Sequence, residues 1–105
     1  MRTPLHPAYE DLALPNILYA LGDPWRLNMV GQLAAASDAM SCGDLEVVKA
    51  VPKSTGSHHF KVLREAGLIR MVPQGRRILV SLRREDLEER FPGLLEAILQ
   101  TYQRQ

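Results

Sequence analysis

Between Val51 and Gly67 the chain reads VPKSTGSHHFKVLREAG, and its hydrogen-bonding and basic residues fall at helical spacing. Lys53, Ser54, Ser57, His58, Lys61 and Arg64 recur on one side of a helix, and Phe60, Leu63 and Ala66 recur on the other. The apolar side can seat the helix on a core. Hydroxyl, imidazole and cationic groups opposite it are the kinds that reach phosphates and base edges in a DNA major groove, so the stretch reads as a recognition helix. Pro52 stands where a helix begins, and Ser54 or Thr55 can cap free amides nearby. Gly67 can take the left-handed conformation just past the end, letting Leu68 fold back on Leu63.

The charge is segregated to match. Net charge is only +1, yet from Pro52 to Arg84 the cations Lys53, Lys61, Arg64, Arg70, Arg76, Arg77, Arg83 and Arg84 stand against Glu65 alone. The rest of the chain is therefore acidic. A basic segment of this kind is the footprint of a polyanion binder. The alternative is that several of these arginines are ordinary solvated strand and loop residues.

The elements that must hold this helix follow from length and pattern. At 105 residues, 46% hydrophobic and 24% charged, the chain is sized for one domain over residues 1–105 with a single core. It has no apolar run near the roughly 20 residues of a membrane span and no secretion-signal pattern, so a soluble, cytoplasmic protein without a membrane partner is expected. The single cysteine, Cys42, rules out an internal disulfide and cannot alone build a multi-thiolate metal site.

Residues 1–7, with Pro4 and Pro7, suggest a frayed or extended arm. Over residues 8–21 Leu12, Ala13, Ile17, Leu18 and Leu21 approximate a helical stripe that Pro15 should kink or restart. Asp23 and Pro24 open a second helix whose core face is Trp25, Met29, Val30 and Leu33. Ser41 and Asp44 resemble a capping box for a short helix from Cys42 to Val48, which with the basic helix makes a helix-turn-helix over residues 41–67.

After Gly67 the period changes to alternation. Leu68–Val72 and Ile78–Leu82, joined through Pro73, Gln74, Gly75, Arg76 and Arg77, predict a hairpin over residues 68–82. Its basic tip can lie along phosphates or enter a minor groove, as a wing does. The last helical region, residues 84–104, is interrupted by Pro92 and carries the stripe Leu94, Leu95, Ile98, Leu99 and Tyr102. This stripe suggests a second subunit packed with the first helix, with Leu12 and Ile17 also at the interface. The alternative is that the helix caps its own core. The expected fold class is mostly α with a β-hairpin wing, a homodimeric winged helix-turn-helix of order ααααββα.

With these residues laid out, the chain resembles the ArsR/SmtB family of small bacterial winged helix-turn-helix repressors. LGDPWRLNMVGQL is similar to the family's second-helix signature, and STGSHHFKVLREAGLIR followed by QGRRILVSL to its recognition helix and wing. The resemblance implies a homodimer, joined through its terminal helices, that binds an imperfect inverted repeat in double-stranded operator DNA and represses transcription. It places Ser54, Thr55, Ser57, His58, His59 and Lys61 on the reading helix and Gly75, Arg76 and Arg77 on the wing. The family's metal-sensing motifs are missing: MSCGDLE holds only Cys42, and the C-terminal region has no histidine. No metal or cofactor is expected, and an inducer, if there is one, is unidentified.

Adjacent His58 and His59 point roughly 100° apart on a helix and do not form a chelating i, i+4 pair. At least one is expected to touch DNA and the other to pack or cap. Cys42 is either a small, largely inert hydrophobe or a thiol sensor activated by a helix start. Trp25 and Tyr102 can serve as packing residues, and Arg26 can either pair with a carboxylate or reach a phosphate. No nucleophile–base–acid set or glycine-rich phosphate loop occurs, which argues against an enzyme. The rival reading is a protein-interaction winged helix that docks an acidic partner without binding DNA.

Overall fold

The computed structural model describes residues 5–104, so Met1 to Pro4 of the expected arm lie outside the described residues. Two prolines set the first helical starts. Pro15 lies in the first turn of α1 (Leu14–Leu21) and Pro24 opens α2 (Pro24–Ala35), where a missing amide costs nothing. Asp23 caps α2, its Oδ1 accepting from the Trp25 amide at 2.8 Å and the Arg26 amide at 3.1 Å. The helix expected over residues 8–21 is shorter than that stripe suggested. Tyr9–Asp11 forms a single 3-10 turn, and Leu12 and Ala13 are extended before α1 begins.

The next segment differs from expectation. Met40–Ser41 is a strand, β1, Cys42–Asp44 is a 3-10 turn, and α3 occupies only Glu46–Ala50. Ser41 makes no side-chain cap. Met40 pairs instead with Val80, and Ser41 with Leu79, covering an edge that would otherwise leave backbone groups unpaired.

The basic helix, α4, runs Lys53–Ala66. Its start is simpler than expected: Pro52 occupies the cap position, neither Ser54 nor Thr55 caps, and the Gly56 amide donates to the Pro52 carbonyl at 3.0 Å. Its end is as expected. Gly67 adopts φ +88°, its amide donates to the Arg64 carbonyl and that of Leu68 to the Leu63 carbonyl, both at 3.0 Å. This pair of bonds satisfies carbonyls the helix end would orphan.

β2 (Ile69–Gln74) and β3 (Arg77–Leu82) form the hairpin, and the antiparallel sheet has the order β1-β3-β2. Gln74 pairs with Arg77, leaving Gly75 and Arg76 as a two-residue loop in which Gly75 has φ +62°. A glycine at that position suits a tight hairpin turn. Pro73 is tolerated because β2 is an edge strand. α5 (Arg84–Arg90) and α6 (Leu94–Gln103) follow, separated by Pro92 and by Gly93 at φ +78°.

The core is shared by every layer. Ile17 of α1, Met29 and Val30 of α2, Leu45, Val47 of α3, Leu63 of α4, Ile69 of β2 and Val80 of β3 are all essentially inaccessible. Two residues expected at a subunit interface therefore belong to this core: Leu12 and Ile17 are 2% and 1% exposed. Burying each contributes about 1.5–3 kcal/mol within the protomer, which leaves them no surface for a partner. Leu94, Leu95, Ile98 and Leu99 are half-buried against the same core, so the alternative for α6 holds in part. Tyr102 is half-buried against Gly31, whose missing Cβ admits the ring.

Residues 5–7 are tied down rather than loose. The Leu5 carbonyl accepts from Arg64 Nε at 2.9 Å, His6 Nε2 accepts from the Met71 amide at 2.9 Å, and the Pro7 carbonyl accepts from Arg83 Nη1 at 2.8 Å. Among the described residues no helix is long and apolar enough to cross a membrane.

Candidate nucleic-acid interface

α4 is anchored by one face and offers the other. Gly56, His59, Phe60, Leu63 and Ala66 are buried, whereas Lys53, Ser54, Thr55, Ser57, His58 and Lys61 are exposed. Ser54, Ser57, His58 and Lys61 stand at i, i+3, i+4 and i+7, a single stripe. The stripe carries two hydroxyls, an imidazole and an ammonium, which can donate to phosphate and donate or accept at base edges.

His59 departs from the expected reading face. It is 7% exposed, and its Nδ1 lies 3.2 Å from Arg26 Nη1 and 4.0 Å from Asp23 Oδ1. The guanidinium has no acceptor, so Nδ1 accepts and the ring is neutral with its proton on Nε2. Burial pushes the imidazole below its ordinary range; Asp23 opposes this, and the Arg26 and His58 charges reinforce it. For Asp23 burial acts upward, but the Arg26 and Trp25 amides, His59 and the Arg26 charge together hold the carboxyl below its usual range.

The segregated cations divide into two groups. Lys53, Lys61, Arg76 and Arg77 are exposed on α4 and at the hairpin tip, where Arg77 Nη2 also donates to Gln74 Oε1 at 3.2 Å. Gln74 and Gly75 are exposed beside them. The others are committed elsewhere. Arg83, 6% exposed, is held by Asp86 through Nε at 3.0 Å and Nη2 at 2.9 Å. Arg70 pairs with the same carboxylate at 3.6 Å, Arg84 donates to the Ala34 carbonyl, and Arg64 is half-buried and bonded to Leu5. Internal acceptors thus engage those four arginines, so they are neither free cations of the basic face nor simply solvated residues.

Cys42 is a free, half-buried thiol in the 3-10 turn. Among the described residues no three His, Cys, Asp or Glu side chains gather as a metal site. Leu14, Leu18 and Tyr19 of α1 are 42%, 51% and 67% exposed, and Leu14 and Tyr19 carry no reading from the sequence. Leu18 was legible only as part of the stripe whose members Ile17 and Leu21 went inside. Ile17 and Leu21 of α1 line the same apolar seam as Leu94, Leu95 and Ile98 of α6.

A two-faced helix after a short helix and turn, followed by a hairpin with basic residues at its tip, defines a winged helix-turn-helix. Residues 21–72 match the model of a helix-turn-helix domain family. The uncharacterised HTH-type transcriptional regulator YceK of Bacillus subtilis (strain 168) is 36% identical over 89 residues, 85% of this chain and 89% of the relative. Among solved structures, the transcriptional repressor BigR from Xylella fastidiosa superposes with TM-score 0.63 at 26% identity, covering 85% of each chain. An ArsR-like transcriptional regulator from Rhodococcus sp. RHA1 gives 0.62 at 25% identity, covering 87% of this chain and 83% of that one. The chain belongs to the ArsR family of DNA-binding helix-turn-helix transcriptional regulators.

Proposed function

We propose that this protein is a homodimeric repressor that binds an inverted-repeat operator, with α4 in the major groove and the hairpin tip on the flanking minor groove or backbone. The observation that carries the reading is the exposed stripe Ser54, Ser57, His58 and Lys61 on a helix whose opposite face is locked into the core by Phe60 and Leu63. Ser57 and His58 read base edges, Lys53, Thr55, Lys61, Arg76 and Arg77 hold phosphates, and Gln74 and Gly75 shape the tip. BigR, similar in fold, is a transcriptional repressor. Residues 41–67 form the reading unit, residues 68–82 the wing, and α1 with α6 the dimer contact. There the exposed Leu14 and Leu18 join the accessible parts of Leu94, Leu95, Ile98 and Leu99. The protein acts in the cytoplasm as a DNA-bound regulator rather than an enzyme.

A salt titration on random duplex tests the reading. A dimer neutralising about six phosphates or more loses affinity with a log–log slope of roughly −5 or steeper. A flat slope, with retained binding to an acidic protein, supports the protein-docking rival instead.

A further inference from the structure

Arg26 is 7% exposed, yet its guanidinium bonds in two directions at once. Nε donates to the carbonyl of Ala20, in α1, at 2.7 Å, and Nη1 donates to His59 Nδ1, in α4, at 3.2 Å. The same guanidinium lies 5.5 Å from the centre of the Tyr19 ring, and the Arg26 amide is held by the Asp23 cap. One side chain therefore ties α1, the start of α2 and the middle of α4.

We propose that Arg26 is a positioning residue for DNA reading: by gripping His59 it fixes the rotation and height of α4, and so the aim of the adjacent His58 and of Ser57. The inference rests on the proposed reading face. Phe60 and Leu63 supply the cohesion of α4 with the core, but apolar contacts have no direction and tolerate small rotations. A two-point guanidinium bond between a fixed carbonyl and a ring nitrogen does not. His59 must stay neutral for the bond to exist; burial, with the Arg26 and His58 charges, favours that form against the pull of Asp23. Tyr19, largely exposed on α1, gives the constellation a side open to whatever packs on that helix.

The test uses the full chain with Arg26→Lys, Arg26→Ala, His59→Ala and the double alanine variant. Affinities are measured for a duplex selected by the wild type and for random duplex, at a temperature where every variant is folded. Expected is a loss of the selected-to-random ratio on the order of tenfold for each single variant, with random binding little changed, and a double variant no worse than the weaker single one. Lysine keeps the charge but has one donor head, so Arg26→Lys should not rescue the ratio. An unchanged ratio in folded variants, or losses that add, overturns the proposal. Should Arg26→Ala fail to fold, Arg26→Lys carries the test.

A readout without DNA separates this inference from the function it rests on. In the free protein, 15N spectra should show His59 as the Nε2–H form, and Arg26→Lys should shift both that signal and the Ser57, His58 and Lys61 amides. Changes confined to residues around Ala20 and Asp23 overturn the positioning role, whether or not the wild type binds DNA.

Discussion

Gly67 and Leu12 fit against each other: a Cβ added at Gly67 would overlap the Leu12 Cδ2 methyl and approach Pro7 Cγ at 3.4 Å. Gly67 also holds φ at +88°, which disfavours any residue with a side chain. Gly67→Ala therefore meets both strain and overpacking, and should cost about 2–4 kcal/mol. Urea unfolding should show a lower midpoint at unchanged slope, and a midpoint within error of wild type would contradict this packing.

Acid should destabilise the fold through His59. Its folded-state pKa is depressed, so below the unfolded histidine value the unfolded chain binds more protons, and stability is lost as pH falls through that window. Asp23, also depressed, extends the loss to lower pH, where unfolded carboxyls take protons. His59→Gln should flatten the fall in midpoint between about pH 7 and pH 5. An unaltered pH profile would exclude His59 as its source.

The exposed cations and the reading stripe should separate by assay. Arg76→Ala with Arg77→Ala removes four cations from the dimer and is expected to weaken binding to every duplex and to reduce the salt slope by about three to four, while Ser57→Ala or His58→Ala relaxes preference at particular base pairs by about 1–3 kcal/mol. Equal losses on selected and random DNA for both sets would refute this division. Arg83→Ala belongs to neither set: it leaves Asp86 without its buried partner and should act on stability, by about 3 kcal/mol.

The proposed subunit contact predicts that Leu14→Asp with Leu18→Asp yields folded monomers, since both side chains are substantially exposed in the protomer. Sedimentation at micromolar concentration measures it directly. A persisting dimer would move the contact away from α1.

The helices, the hairpin and the stop at Gly67 were legible because each rests on a local signal: a proline start, an alternating run, a left-handed glycine. What the sequence hid was tertiary. Ser41 read as the start of a capping box, but the outer edge of β3 claimed it, with Met40, as a strand. Ile17 and Leu18 belong to one expected stripe, and only tertiary packing decides that the first is covered and the second left open. His58 and His59 are indistinguishable by type; His59 stands four residues before Leu63 on the buried phase of α4, where Arg26, 33 residues away, meets it. Charge counting overstated the basic surface for a similar reason, since Asp86 and three backbone carbonyls absorb Arg64, Arg70, Arg83 and Arg84.

The most direct test of the central claim is selection of bound sequences from a random duplex pool by the wild-type protein. A symmetric reader built on α4 predicts enrichment of an inverted repeat whose half-sites are centred about one helical turn apart, roughly 34 Å. Recovery of no common sequence, or of a single unpaired half-site, would contradict it.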